Sequence, residues 1–320
     1  AAVLGRARLV SMVDETARLL RGHCQHFSRL GWALFAQMLS MLLAQAGILL
    51  IVGVCAPGLT GNSLFLWLLC VLSVYGISVP VFCLVIRPAP AAPGPVRGAP
   101  LGPVRFFQTY CMSLAALYLA NYATLALLWV VGQLRGAPVS NPVESIQNYP
   151  AALNLLLGCV IAPAAEELMF RRLLLDRLRP YGDRFAVFAS ALCFGLFHGN
   201  LNQMFYAFAL GVIFAYVMLR TGRLWQTVLL HALVNAVSVA LAPLLERVGA
   251  WGDAALGVFV LTAIVLGVTF FLARRRELSF APGGSGFPEA RKWRLFFENP
   301  GMICFCLLAG LLTAAYLTLE

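Results

Sequence analysis

Long apolar runs separated by short polar or basic segments dominate the chain. A helix needs about 20 predominantly apolar residues to cross the hydrocarbon core of a bilayer, and it satisfies its own backbone hydrogen bonds there. The pattern therefore predicts an all-α, polytopic membrane bundle of about nine spans. The predicted spans cover residues 31–54, 62–86, 106–132, 149–170, 185–198, 203–219, 224–243, 254–273 and 301–319.

The first 30 residues have a different pattern, in which arginines are interspersed with apolar side chains. This segment is too charged to span a membrane, and it predicts an amphipathic helix at the membrane surface. Three predicted parts follow this segment. They are three flanking spans with a proline-rich inner loop, a core of four helices, and two C-terminal spans with a Gly-rich, basic linker. The predicted boundaries of these four parts are 1–30, 31–148, 149–245 and 246–320.

Composition supports a membrane protein, because hydrophobic residues make up 61% of the chain and charged residues 11%. In ordinary soluble domains, hydrophobic residues make up about 45–50% and charged residues about 25%. The net charge of +10 could indicate nucleic acid, but the basic residues are dispersed between hydrophobic segments. We therefore expect the lipid bilayer as a partner and no nucleic acid. The nine cysteines lie mostly in apolar runs without a CxxC pair, which is typical of buried or lipid-facing residues.

The basic residues are divided unequally between the two sides of the predicted bundle. If the N-terminus is inside, 21 of the 23 Lys and Arg residues fall on inner segments, and only Arg135 and Arg247 fall outside. By the positive-inside rule, this distribution predicts a cytoplasmic N-terminus and an outer C-terminus.

One polar cluster interrupts the apolar sequence. The 21 residues from 145 to 165 carry no charge, and Glu166, Glu167 and then Arg171 follow them. A charged side chain near the middle of a bilayer costs roughly 2.5–3.5 kcal/mol on insertion scales, and such residues usually mark function. On a helix, Glu167 and Arg171 share one face, whereas Glu166 is rotated by about 100°. One glutamate can therefore pair with the arginine while the other faces elsewhere.

Two further predicted spans contribute polar side chains. His198 ends one of them, and His231 and Asn235 lie one turn apart on the other. The remaining two of the four histidines lie in the N-terminal amphipathic segment, so we predict that these spans share one site with the glutamates. The structural alternative is an ion pair together with hydrogen bonds between helices, worth about 0.6–2 kcal/mol each.

In chain order, these residues form the patterns EExxxR at 166–171, FxxxH at 194–198 and HxxxN at 231–235. Together the patterns resemble the CPBP, or Abi, membrane proteins, a family of CAAX proteases and bacteriocin-processing proteins that includes the type II CAAX prenyl endopeptidases. The resemblance covers roughly residues 149–240. It implies an intramembrane endopeptidase acting on a membrane-associated protein or peptide. The family's spread favours a bacterial cytoplasmic membrane over the endoplasmic reticulum.

The resemblance also implies a role for each motif residue. Glu166 is expected to be the general base and His198 its partner in polarising water. His231 and Asn235 are expected to donate hydrogen bonds to the oxyanion.

Glu167 and Arg171 are expected to support the helix and to tune the carboxylate. A reaction without metal or cofactor is favoured. The alternative makes Glu166, His198 and His231 zinc ligands, since one carboxylate and two imidazoles with an open position form a catalytic zinc set. A different class of function is a non-catalytic membrane protein, such as an immunity factor, scaffold or transporter, that uses the cluster for helix contacts. The sequence leaves the identity of the substrate and the oligomeric state open.

Overall fold

A computed structural model describes residues 2–96, 98–139 and 149–318, with residues 2–14 and 16 described by their backbone alone. Within these ranges the chain is helical and contains no strand. The helices are α1 (Ala2–Cys55), α2 (Ser63–Ile86), α3 (Pro103–Arg135), α4 (Ala151–Tyr181), α5 (Asp183–Phe197), α6 (Leu201–Thr221), α7 (Leu224–Glu246), α8 (Ala250–Arg274), α9 (Glu289–Phe297) and α10 (Pro300–Thr318).

Eight helices of the described chain are long and apolar enough to cross a membrane, namely α1 from Ala17 onward, α2, α3, α4, α6, α7, α8 and α10. This confirms the predicted polytopic bundle. The predicted span at 185–198 corresponds to α5, whose 15 residues are fewer than a full crossing needs. The positive φ of Gly182 and Gly199 on either side of α5 allows the chain to turn there, because glycine adopts such angles without steric cost.

The N-terminal part of the chain differs from the predicted separation into a surface helix and a span. Helix α1 is one continuous helix of 54 residues, so no helix end lies at the predicted boundary after residue 30. Charge and apolar content change along α1, but nothing in its sequence interrupts the backbone hydrogen bonds, since proline is absent from it.

Three spans widen into a π-helical turn shortly before a proline. The pairs are Val71–Ser78 before Pro80 in α2, Leu157–Ile161 before Pro163 in α4, and Val237–Leu241 before Pro243 in α7. Proline lacks an N–H group, and its ring clashes with the preceding turn. Both effects favour a local change from i→i+4 to i→i+5 hydrogen bonds, which define a π-helical turn. Helix α4 contains a second such turn, Leu168–Leu174, which follows no proline and includes Arg171.

Helices α5 and α6 pack closely because small residues face each other. A Cβ atom on Gly195 would lie 2.7 Å from the carbonyl oxygen of Met204, and one on Gly211 would lie 2.9 Å from Cα of Ala191. Neither position has room for a side chain. Small residues at such points let membrane helices approach each other, and here they bring the end of α5 against α6.

A cluster of buried apolar side chains holds the site-bearing helices against the flanking ones. Phe27 of α1, Phe185 of α5 and Phe296 of α9 meet within it, with ring centres 5.5–5.7 Å apart. Aromatic pairs at such separations add stabilisation beyond the area that they bury. Helices α1 and α9 therefore fix the position of α5 from outside the motif-bearing segment.

The described residues of the proline-rich loop between α2 and α3, 87–96 and 98–102, form no helix, and the loop is anchored to two site-bearing helices. Nε of Arg177 in α4 donates a 3.0 Å hydrogen bond to the carbonyl of Ala89. The backbone N–H of Leu101 donates to the side chain of Gln226 in α7 at 2.9 Å, and Nε2 of Gln226 donates back to the Leu101 carbonyl at 3.0 Å. The loop thus follows the ends of α4 and α7.

Candidate active site

Glu167 makes one polar contact within α4 and one polar contact to α7. Its Oε2 lies 3.0 Å from Nε of Arg171, and its Oε1 lies 3.1 Å from Nδ1 of His231. The side chains of Glu167 and Arg171 are fully buried. Because an ionised carboxylate only accepts, Nδ1 of His231 carries the hydrogen of this bond. The predicted pairing of Glu167 with Arg171 is therefore present, and it extends to a second helix.

Aromatic rings surround the guanidinium group of Arg171. Its Cζ lies 4.6 Å from the ring centre of Phe194, 5.9 Å from that of Phe214 and 6.0 Å from that of Phe170. Aromatic faces attract cations within about 6 Å. A buried charge is unfavourable unless it is compensated. The ion pair and the three rings offset part of the loss of water around Arg171, whose Nη1 and Nη2 have no hydrogen-bond partner among the described residues.

Glu166 lies beside this network and faces different groups. Its Oε2 lies 3.9 Å from Nε2 of His231, and its Oε1 accepts a 3.3 Å hydrogen bond from the hydroxyl of Tyr75 in α2. The first distance is longer than a hydrogen bond, so the two groups face each other without being joined. Glu166 is 8% exposed, whereas Glu167 is 0% exposed. Of the two glutamates, only Glu166 therefore has surface that a water molecule can contact.

His198 directly follows α5, and its ring packs edge-on against Phe194. Nδ1 of His198 lies 2.8 Å from the carbonyl oxygen of Phe194. A carbonyl only accepts, so Nδ1 carries the hydrogen, and Nε2 of the neutral ring is an acceptor. The ring centre of Phe194 is 5.1 Å from that of His198 and 6.0 Å from that of His231. Glu166 and His231 are both near enough to act on His198 electrostatically.

Asn235 contacts the backbone of α4. Its Nδ2 donates a 2.8 Å hydrogen bond to the carbonyl oxygen of Gly158. In this π-helical turn, the N–H of Ala162 bonds to the carbonyl of Leu157, five residues back. The next bond in that register would need an N–H on Pro163, and proline has none. Asn235 thus supplies the donor that the Gly158 carbonyl would otherwise lack.

The zinc alternative requires Glu166, His198 and His231 to converge. Nε2 of either histidine has suitable donor chemistry, because the Nδ1 atom of each ring is already engaged. However, in the part of the chain that the structure describes, no three His, Cys, Asp or Glu side chains lie close enough together to hold a metal ion. The zinc alternative stays a prediction, and it requires these three side chains to lie closer together than they do here.

The structure gathers the predicted site residues between α4, α5 and α7, with one face closed by α2. The predicted side chains in this cluster are Glu166, Glu167, Arg171, His198, His231 and Asn235. Their chemical roles stay predictions. Two contributors were missed, Tyr75 and Phe214. For Tyr75, the sequence offers one indication, which is the position of its hydroxyl group within an apolar span near Pro80. For Phe214, the sequence offers no indication.

This arrangement defines a class of protein: a polytopic helical membrane protein with carboxylate and imidazole groups buried inside its bundle. Residues 148–237 match the family model described as "Type II CAAX prenyl endopeptidase Rce1-like". The segment that carries the cluster is therefore similar to the CAAX protease-like (CPBP) family, the resemblance that its motifs predicted.

A curated relative is similar to part of the chain as well. The chain is 29% identical over 98 residues to a protein of Bacillus subtilis (strain 168) named "Putative membrane peptidase YdiL". The match covers 30% of this chain and spans 39% of the length of that relative. No solved structure shows a significant match.

Proposed function

We propose that the protein is an intramembrane endopeptidase that hydrolyses a peptide bond of a membrane-associated protein or peptide. The observation that carries this proposal is the different placement of two adjacent glutamates. Glu167 is fully buried and committed to Arg171 and His231, whereas Glu166 is slightly exposed and faces Nε2 of His231. A purely structural ion pair needs only Glu167. The family match and the name of the relative support a peptidase.

In the proposed reaction, a water molecule donates hydrogen bonds to Glu166 and to Nε2 of His198. The carboxylate of Glu166 removes one proton from the water as the water oxygen attacks the carbonyl carbon. The new C–O bond forms, and the carbonyl π electrons move onto oxygen. The proton on Glu166 then passes to the peptide nitrogen as the C–N bond breaks, which releases a carboxylic acid and an amine.

Asn235 and His231 are the proposed donors to the oxyanion. The amide nitrogen of Asn235 has two hydrogens, and only one of them is used by the Gly158 carbonyl. Nε2 of His231 can donate only when its ring is doubly protonated, and the charged ring then lies between Glu166 and Glu167. In other enzymes, removal of one such donor lowers the rate about 10²–10³-fold.

Glu166→Gln tests the general base with a nearly isosteric change. Loss of a general base typically lowers the rate about 10²–10⁴-fold, so we expect an uncut precursor to accumulate. Comparative membrane proteomics of cells that produce the wild type or the variant measures this. Glu246→Gln is the matched control, because Glu246 is an exposed glutamate at the end of α7. Unchanged processing in folded Glu166→Gln protein contradicts the mechanism.

Metal dependence is tested separately, by treating the purified protein with a chelator. The proposed reaction predicts that cleavage of the precursor continues unchanged. Loss of cleavage that added zinc restores would replace this mechanism with the zinc alternative at Glu166, His198 and His231.

A second candidate function is a non-catalytic membrane protein that uses the cluster to join helices. Two observations favour it, since the Glu167–His231 contact and the Asn235–Gly158 bond both connect α4 with α7. In this case Asn235→Ala lowers the thermal unfolding midpoint, whereas Glu166→Gln leaves the membrane proteome unchanged.

A further inference from the structure

A groove lies between helices α3, α5, α6 and α8, apart from the polar cluster. Its volume is about 840 Å³, within the range of about 300–1,000 Å³ that is typical of ligand sites. Apolar side chains such as Met112, Phe208 and Ile213 line it. Leu119 and Phe271, which also line it, are each 49% exposed. The groove therefore opens sideways, toward the hydrocarbon that surrounds the bundle.

One end of the groove is strongly basic. Arg105 in the first turn of α3, Arg220 near the end of α6, and Arg274 and Arg275 at the end of α8 all line it. The only carboxylate in the lining is Glu277, which pairs with Arg274 at 2.6 Å. The lining thus has a formal excess of three positive charges. Because these arginines lie at the ends of spans, they lie at the level of the lipid head groups.

The arginines differ in the contacts that their side chains make within the protein. Arg220 donates a 2.7 Å hydrogen bond to the hydroxyl of Ser279, and its Cζ lies 5.3 Å from the ring centre of Tyr216. Arg105 and Arg275 are exposed. Among the residues that the structure describes, neither guanidinium group has a hydrogen bond or a salt bridge, and that of Arg105 acts on Glu277 only from a longer distance. Two guanidinium groups are therefore available to an anionic group that enters from the lipid.

We propose that this groove binds an anionic phospholipid of the surrounding bilayer. Its phosphate lies among the arginines, and one acyl chain lies between α3, α6 and α8. Basic pockets between membrane helices select anionic head groups, whereas the cation of a zwitterionic head group is repelled by the excess arginines. The inference is independent of the proposed peptidase activity, because none of the six side chains of the polar cluster lines the groove.

The first test compares two lipids with the same acyl chains, phosphatidylglycerol and phosphatidylcholine. The full chain is purified, stripped of lipid in mild detergent and titrated with each lipid, with bound copies counted by native mass spectrometry. We expect phosphatidylglycerol to bind at least about tenfold more tightly. One arginine near a membrane surface contributes about a fivefold change in affinity, so Arg275→Gln should weaken phosphatidylglycerol binding about fivefold and leave phosphatidylcholine binding unchanged.

Arg276→Gln is the matched control, because Arg276 is an exposed neighbour that does not line the groove. It should leave both affinities unchanged. Equal losses in Arg275→Gln and Arg276→Gln indicate general attraction to a basic surface and overturn the proposal. Equal affinities of the wild type for the two lipids overturn it as well.

The second test needs no variant and locates the acyl chain. A phosphatidylglycerol with a photoactivatable diazirine in its acyl chain is bound to the wild type, irradiated and mapped by peptide mass spectrometry. We expect adducts on groove residues such as Met112 and Phe271, and their loss when unlabelled phosphatidylglycerol competes. Adducts spread evenly over other helices overturn the proposal. Displacement of the probe by a prenylated peptide, and not by phosphatidylglycerol, assigns the groove to a lipid-modified protein instead.

Discussion

Helices α4 and α7 are joined by ionisable and amide side chains, whereas α5 and α6 are joined by close contact of small residues. At the first interface, Glu167 contacts Arg171 and His231. At the second, Gly195 and Gly211 leave no room for a side chain. The second interface shows that this chain can join membrane helices without ionisable groups. A buried ion pair seldom stabilises more than well-packed apolar residues do, so stability alone does not explain the first.

The two interfaces also differ in their backbones. Helices α5 and α6 are regular, whereas α4 and α7 each contain a π-helical turn before a proline. A proline within a span leaves a carbonyl group that a neighbouring helix must satisfy. Asn235 does this for Gly158. The α4–α7 interface therefore combines a structural task with the proposed chemistry, and substitutions can separate the two.

Glu167→Leu should have the largest effect, because it leaves Arg171 buried without its counter-charge. Removal of one partner from a buried ion pair typically lowers the free energy of unfolding by about 3–5 kcal/mol. We expect a loss of this size, measured by thermal or denaturant unfolding in mild detergent with circular dichroism.

The double variant Glu167→Leu/Arg171→Met is the control for this effect. It removes both charges and should recover most of the lost stability. Processing of the precursor should stay impaired, because Nδ1 of His231 has lost its acceptor. A loss below about 1 kcal/mol in the single variant contradicts the view that Arg171 depends on Glu167, and recovery of activity in the double variant shows that the network serves only to join helices.

Gly195→Ala should have the next largest effect, and it acts on the apolar interface. The added Cβ would lie 2.7 Å from the Met204 carbonyl, so α5 must move away from α6. Overpacking of this kind typically lowers the free energy of unfolding by about 1–3 kcal/mol. His198 lies three residues further along the chain, so precursor cleavage should fall as well.

Gly257→Ala is the matched control for the glycine substitution. It makes the same change within α8, where no heavy atom lies within 4 Å of the added Cβ. Stability and cleavage should stay at the wild-type level. If the two alanine variants lose equal stability, the effect comes from the helix backbone and not from the contact between α5 and α6.

Asn235→Ala should have a smaller effect on stability, since hydrogen bonds between membrane helices are worth about 0.6–1.7 kcal/mol. The same change made in a Pro163→Ala background separates the two tasks of Asn235. An N–H at position 163 gives the Gly158 carbonyl a partner within α4, so the loss of stability should shrink there. The loss of activity, about 10²–10³-fold for an oxyanion donor, should persist. Equal stability losses in both backgrounds contradict the link to Pro163.

The sequence was sufficient to predict the class of fold, because helices that cross a bilayer require long apolar runs. It was not sufficient for the start of the first span, because the predicted boundary after residue 30 lies inside the continuous helix α1. Hydropathy indicates which residues avoid water, but a helix end depends on local backbone chemistry. Within α4, the spacing of Glu167 and Arg171 predicted their pairing, since contacts inside one helix follow from its periodicity.

Contacts between helices could not be predicted in the same way. The bond from His231 to Glu167 depends on the register of α7 against α4, which no single-sequence pattern encodes. The partner of Asn235 had a partial signal, since Pro163 within a span leaves a carbonyl free. Which side chain satisfies that carbonyl is decided by packing. Tyr75 lies on a helix outside the matched segment, so the motifs contain no information about it.

Tyr75→Phe tests this unpredicted contact and should have the smallest effect. The change removes one hydroxyl and its 3.3 Å hydrogen bond to Oε1 of Glu166, and it keeps the aromatic ring. A single hydrogen bond of this kind contributes about 0.5–1.5 kcal/mol, which corresponds to a rate about three- to tenfold lower. The expected stability is that of the wild type, because Glu167 and Arg171 keep all their contacts.

Tyr122→Phe makes the same change on α3, at a side chain that is 52% exposed, and cleavage of the precursor should be unaffected by it. A fall in rate with unchanged stability in Tyr75→Phe alone indicates that the hydroxyl positions the carboxylate of Glu166. The reverse result, lower stability at an unchanged rate, places Tyr75 among the groups that join helices. In that case, the part of the cluster that contacts α2 has a structural role, and the proposed chemistry is confined to the side chains between α4, α5 and α7.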